Sequence, residues 1–270
     1  MNLIKLIDSH CHLDRCDFKS LGFDSLEGCI TEAKSKGIVH MLCVCVDLKD
    51  FKAVRDLAEK YPEIISCSVG AHPADPSDSD HPEPTYEELL ALAKDPLVIA
   101  IGETGLDYFH CKGDITWQQE RFRTHIQVAK EVKKPLIIHT REAQADTLRI
   151  LQEENAQEIG GVLHCFTETW EMAQSAMELG FYISFSGIVT FKNAKELQAV
   201  ALKIPKEKLL IETDAPYLTP VPFRGKPNQP AYVRYVAEFL AELRSESLLD
   251  LAESTTANFE RLFLKSGGKA

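Results

Sequence analysis

Positive charge is scarce in this sequence: 30 Lys and Arg stand against 41 Asp and Glu, a net charge of -11 over 270 residues. A protein that coats nucleic acid with its own surface is usually basic, so that class is disfavoured. An enzyme that meets phosphates through bound cations is not, because the cations supply the local charge. No stretch approaches the roughly 20 apolar residues of a membrane span. The N-terminal MNLIKLIDSH has only a short apolar stretch before an acidic residue and does not read as a secretory signal, so a cytoplasmic protein is expected. None of the eight cysteines forms a CxxC pair, which argues against a zinc knuckle. Several lie in apolar strand-like stretches, where reduced and mostly buried thiols are expected. No Gly-rich loop follows the first apolar stretch, which places a doubly wound nucleotide-binding sheet behind a barrel. No linker, low-complexity tract or composition shift divides the chain, so residues 1–270 are expected to form one domain.

What is present is an alternation of short apolar runs with amphipathic segments. The runs are Leu3–Ile7, Ile38–Val46, Ile64–Val69, Leu97–Ile101, Leu136–Ile138, Gly161–Leu163, Tyr182–Phe185 and Leu209–Ile211. They are rich in Val, Ile and Leu without clean alternation, as suits parallel strands buried on both faces. Helix starts of the capping-box kind are expected at Asp24–Glu27, Thr85–Glu88 and Thr116–Gln119, the last opening a helix through Val132. Two further helices are expected near Ala231–Leu243 and Leu248–Leu264. Eight βα units without a boundary predict a single-domain (β/α)8 TIM barrel.

The polar residues that close these runs carry the chemistry. The runs end in Asp8-Ser-His10-Cys-His12, His72, Glu103, His139, His164 and Glu212-Thr-Asp214; Val46 and Ser186 close the second and seventh. Successive ends lie 22 to 36 residues apart, close to the roughly 30 of a βα repeat. In a barrel all eight ends converge on one rim, where active sites sit. His10 and His12 are two apart and share one side of an extended strand, as would Glu212 and Asp214. Three or four imidazoles with two or three carboxylates exceed what one tetrahedral ion needs. They suit two metals, with Glu103 offering one oxygen to each. His72 is left between ligand, substrate contact and structural residue. His40, His81, His110 and His125 are read as structural or solvent-facing. Cys11 and Cys165 are read as pointing into the barrel wall.

The motifs Gly102-Glu-Thr-Gly-Leu-Asp-Tyr108, Ile138-His-Thr-Arg141, Leu163-His-Cys-Phe166, Ile183-Ser-Phe-Ser-Gly187, Glu212-Thr-Asp-Ala-Pro-Tyr217 and Pro222-Phe-Arg-Gly-Lys-Pro-Asn228 accompany Asp8-Ser-His-Cys-His-Leu-Asp14. Together the sequence resembles the TatD family of metal-dependent deoxyribonucleases over nearly its whole length. The resemblance implies one metal on His10, His12, Glu103 and Asp214, and a second on Glu103, His139 and His164. It also implies hydrolysis of DNA phosphodiesters from a 3′ end, with single-stranded DNA as substrate. On that footing Asp214 orients the attacking water or takes its proton. His72 and Arg224 contact substrate, since an arginine fork grips phosphate as a lysine does not. Tyr108, Phe166 and Tyr217 are candidates to stack on bases. The cofactors expected are two divalent ions, Mg, Mn or Zn. No membrane and no obligate protein partner are expected. The alternative is a binuclear amidohydrolase acting on a small amide or ester. Many of these bridge their metals with a carboxylated lysine at a strand end, and here the fourth strand ends in Glu103. A metal-loaded binding protein without turnover is the third reading.

Overall fold

The computed structural model describes residues 4–74 and 83–264. Its strands are β1 (Leu6–Cys11), β2 (Ile38–Cys43), β3 (Ile65–Val69), β4 (Val98–Asp107), β5 (Leu136–Arg141), β6 (Gly161–Leu163), β7 (Tyr182–Phe185) and β8 (Leu209–Ile211). All pair in parallel, in chain order, within one sheet. An order without reversal has no topological switch point, so the doubly wound alternative falls. The first and last strands meet through a parallel bridge between Cys11 and Ala215. The Ser9 hydroxyl donates to Ile211 O at 2.9 Å, and His12 N donates to Ala215 O at 2.7 Å. The expected (β/α)8 barrel is therefore the observed one.

Around it lie α1 (Leu26–Ser35), α2 (Phe51–Lys60), α3 (Tyr86–Ala93), α4 (Thr116–Val132), α5 (Gln144–Glu153), α6 (Trp170–Glu178), α7 (Lys195–Lys203), α8 (Val233–Arg244) and α9 (Leu248–Phe259). Of the three expected capping boxes only Thr85–Glu88 forms with both hydrogen bonds. Thr116 is already helical: Asp114 accepts its N–H at 3.0 Å, because an upstream carboxylate reaches the free amide first. At α1 the cap is Ser25, not Asp24.

Two apolar layers explain why the strand sequences do not alternate. One lies between sheet and helices and includes Leu6, Met41, Ile101, Ile138 and Leu163. The other gathers Ile7, Leu42, Ala100, Ile137, Val162, Tyr182 and Leu210 inside the barrel. Phe259, Leu262 and Phe263, from the end of α9 and the π-helical turn Glu260–Leu264, join that inner layer and floor the barrel. All eight cysteines are free thiols, five of them buried. Among the described residues no helix is long and apolar enough to cross a membrane.

The strands run further toward the rim than their apolar runs indicate. β4 continues through Glu103 to Asp107, and β5 through His139 to Arg141. Polar residues thus extend the strands instead of ending them, which lifts their side chains to the mouth of the barrel.

His125 on α4 shows how a helix supports that mouth. Its Nε2 accepts the Ala71 N–H at 3.0 Å, and its Nδ1–H donates to Arg121 O at 2.8 Å. Both nitrogens are satisfied only in the neutral ring. Burial pushes its pKa down to about 4. The folded pKa lies below the unfolded one, so the contribution to stability is complete above about 6.5 and is lost as pH falls toward 4. The expected loss is about 3 kcal/mol by the lower limit. In an NMR titration the His125 ring should stay neutral until below pH 5. A midpoint near 6.5 would show that solvent reaches it.

Candidate metal centre

Four of the expected ligands form a cage around one point. His10 Nε2 lies 3.2 Å from His12 Nε2, 3.2 Å from Glu103 Oε2 and 3.6 Å from Asp214 Oδ1. His12 Nε2 lies 3.8 Å from the same Glu103 oxygen and 3.3 Å from the same Asp214 oxygen. A cation with bonds near 2.0–2.1 Å at the centre of a tetrahedron holds its ligand atoms roughly 3.3–3.4 Å apart. The donor atoms therefore already stand at coordination spacing.

The other Glu103 oxygen faces a second group. Oε1 lies 2.8 Å from His164 Nε2, 3.2 Å from His139 Nδ1 and 3.2 Å from His72 Nε2. The carboxylate thus turns one oxygen to each imidazole set, as a bridge between two cations would.

Hydrogen bonds on the far side of each ring decide which nitrogens are free to ligate. His12 Nδ1–H donates to Val44 O at 2.9 Å. His139 Nε2–H donates to Asp107 Oδ2 at 3.0 Å, and His164 Nδ1–H faces Glu212 Oε1 at 3.3 Å. Each leaves its inward nitrogen with a lone pair. His72 is wired the other way. Its Nδ1 accepts the Ala74 N–H at 3.0 Å, so the neutral ring carries its proton on the inward Nε2. His72, Glu103 and His139 are close enough to hold an ion together, but this tautomer makes His72 a donor rather than a ligand.

The charges are matched to one another. Burial alone would raise the Glu103 carboxyl, yet the surrounding His164, His72, His10 and His139 hold it well below the usual carboxylate range. Burial works against the His164 imidazolium, and Glu103 and Glu212 outweigh it, so its pKa stands well above the ordinary value. His10 is pushed down by burial and by His164, whose ring stacks on it at 3.9 Å.

Backbone geometry places the last of the expected ligands. Asp214 has a left-handed φ of 58°, and its N–H donates to His10 O at 2.9 Å. Asp8, buried on β1, accepts the Thr213 N–H at 2.8 Å and its hydroxyl at 2.6 Å, tying the segment after β8 to β1. The left-handed residue breaks the strand alternation. Glu212 and Asp214 therefore do not share a side: Glu212 accepts the Cys165 N–H at 2.8 Å and backs His164, while Asp214 faces His10 and His12.

A cavity of about 870 Å³ opens above the cages, walled among others by His12, His72, Glu103, His139, His164 and Asp214. The remaining expectations divide. Tyr217 lines the cavity and is 49% exposed. Phe166 does not reach it; it is buried edge-on against Phe185. Tyr108 is half-buried, with its hydroxyl bonded to Asp146. Cys165, expected in the barrel wall, lines the cavity instead, because its own φ of 42° reverses the alternation and sends Phe166 inward. Arg224 stands on an exposed loop with its guanidinium over the Phe191 ring at 3.9 Å and is not part of the cavity wall. His110 lines the cavity, His125 is buried, and His81 lies outside the described residues. Sequence reasoning assigned no role to Asp107, which is fully buried and accepts from two imidazoles, nor to Arg15 and Arg141 in the cavity wall.

Known proteins resemble this chain in sequence and in fold. A family model described as TatD related DNase matches residues 7–264. The chain is 48% identical over 258 residues to the metal-dependent hydrolase YcfH of Escherichia coli K12, covering 96% of this chain and 95% of that one. It is 36% identical over 243 residues to the 3'-5' ssDNA/RNA exonuclease TatD of Citrobacter rodentium, covering 87% and 90%. The solved structure of YJJV, a TatD homolog from Escherichia coli, superposes with a TM-score of 0.86 at 28% identity, covering 97% and 99%. A model match across the barrel and relatives aligned almost end to end make this chain a member of the TatD family, a metal-dependent hydrolase.

Proposed function

We propose that the protein hydrolyses phosphodiester bonds in nucleic acid, taking single-stranded DNA from its 3′ end, with two divalent ions. The observation that carries this is the Glu103 carboxylate, which offers Oε2 to His10 and His12 and Oε1 to His139 and His164. His10, His12, Glu103 and Asp214 would hold one ion, and Glu103, His139 and His164 the other. The ions, when bound, supply Lewis-acid charge to a phosphoryl oxygen and activate water. The mixed nitrogen and oxygen donors suit Zn or Mn, and Mg remains within the proposal.

The chain's own residues do the rest. Asp214 is the one cage carboxylate whose side chain keeps some exposure to the cavity, 13% against 3% for Glu103, and is placed to orient water and take its proton. His72 presents an N–H from the inward side of the cavity wall and suits an anionic substrate oxygen. Asp107 and Glu212 hold the His139 and His164 rings in their ligating tautomers. Tyr217 offers an exposed ring at the cavity for a terminal base. The Citrobacter relative's activity on single-stranded nucleic acid supports the substrate class. Among the described residues no lysine walls the cavity, which weighs against an amidohydrolase bridged by a carboxylated lysine.

A substrate panel with metal-loaded protein tests the proposal: single-stranded DNA, RNA, simple phosphodiesters, lactones and cyclic amides. DNA labelled at its 5′ end should shorten stepwise, and a 3′-terminal phosphorothioate linkage should slow the first cut. Intact DNA and RNA beside an opened lactone or cyclic amide would transfer the protein to the amidohydrolase reading.

A further inference from the structure

Among the described residues, seven arginines lie within ion-pair distance of a carboxylate. Such pairing is expected where carboxylates outnumber cations. Arg141 is an exception in a telling place. It lines the cavity, and among the described residues it has no carboxylate partner. Its neighbour Glu142 faces Lys112 instead, at 3.7 Å. The Arg141 guanidinium lies 3.8 Å over the ring of Phe109, an exposed aromatic at the end of the neighbouring strand. A guanidinium resting over a ring still has N–H groups to offer a ligand and has already lost part of its freedom.

The support under this pair is built, not incidental. Asp107, buried at the end of β4, accepts the backbone N–H of Phe109 at 3.0 Å and of His110 at 2.8 Å. Its other oxygen accepts His110 Nδ1–H at 2.8 Å. The Arg141 carbonyl accepts the Tyr108 N–H at 2.9 Å, locking the turn to β5. The His110 ring stands edge-on to Phe109 at 4.9 Å and also lines the cavity. Arg15, another arginine of the cavity wall, is occupied by Asp50 at 3.2 Å. Arg224 lies outside the wall.

We propose that Arg141, stacked on Phe109 and flanked by His110, forms a phosphate subsite on the β4–β5 wall that takes the phosphodiester next to the one cleaved. The assignment rests on the phosphodiesterase reading above. A phosphate diester is an anion with acceptors only, matched by a free guanidinium fork. The site gives a nucleic-acid chain a second grip that a single ester lacks.

Three variants of the metal-loaded protein test it: Arg141→Ala, Arg141→Lys and Phe109→Ala. For a single-stranded oligonucleotide, Arg141→Ala should raise KM about tenfold or more, with a smaller fall in kcat. Arg141→Lys should recover only part, since an ammonium cannot lie flat and donate two parallel bonds. Phe109→Ala should fall between Arg141→Ala and wild type. The effect of Arg141→Ala on methyl p-nitrophenyl phosphate, which has no second phosphate, should be smaller by about fivefold or more. Equal effects on both substrates, or an unchanged KM for the oligonucleotide, overturn the subsite. A calorimetric titration with a 5′-phosphorylated thymidine dinucleotide separates this from the parent reading. If wild type cleaves no phosphodiester, the functional reading fails. The subsite then stands only if wild type binds the dinucleotide and Arg141→Ala weakens that binding about tenfold. Absent binding, or equal affinity, removes it.

Discussion

Glu103→Gln is expected to lower kcat by about three orders of magnitude while the protein stays folded. The amide keeps the shape of the side chain but removes the charge that lies between His10 and His12 on one side and His139 and His164 on the other. Without that charge two neighbouring cations repel with nothing between them, and one should leave. Several kcal/mol of transition-state stabilisation go with it, which corresponds to about 10³ in rate. Metal analysis after dialysis should give one ion per chain, and circular dichroism should be unchanged. Two ions per chain with ordinary turnover would refute the bridge.

Asp107→Asn carries the second large effect, and it falls on metal affinity and stability together. The Asp107 carboxylate accepts four N–H groups: His139 Nε2 at 3.0 Å, His110 Nδ1 at 2.8 Å, and the backbone amides of Phe109 and His110 at 3.0 and 2.8 Å. Each oxygen takes two of them, so whichever becomes the amide nitrogen confronts two donors. A buried donor left facing another donor costs about 1–3 kcal/mol. Loss of the partner that orients a ligating imidazole weakens metal binding about 10- to 100-fold. Thermal unfolding and a metal titration measure the two separately. A wild-type affinity with only a lower Tm would confine Asp107 to a structural role, and wild-type behaviour in both would remove it altogether.

The barrel and the cage were readable because both depend on repetition. Strand ends recurring at βα spacing put His10, His12, Glu103, His139, His164 and Asp214 on one rim, and the fold brings those six together. What escaped depends on single backbone dihedrals. A left-handed Cys165 reverses the side-chain alternation, turning its thiol to the cavity and Phe166 to the core. A left-handed Asp214 parts it from Glu212. No hydropathy pattern announces such a residue when it is not glycine. Asp107 escaped for a related reason: the apolar run stops at Ile101 and the fourth strand is expected to end in Glu103, whereas the strand runs on to residue 107. The resemblance implies a phosphate contact for Arg224, but its ring partner Phe191 is remote in sequence and leaves no periodic trace.

The floor made by Phe259, Leu262 and Phe263 has a consequence for traffic. A barrel stopped at its base has a single doorway, so whatever enters above Glu103 leaves by the same opening. A polymer cannot be threaded through such a dead end. It can reach Glu103 only from the rim, by a terminus or as a strand lying across the opening. For a nucleic-acid substrate the approach to Glu103 is therefore from one side. It also makes product clearance compete with entry of the shortened chain. Free mononucleotide that occupies the same opening should then inhibit in competition with substrate.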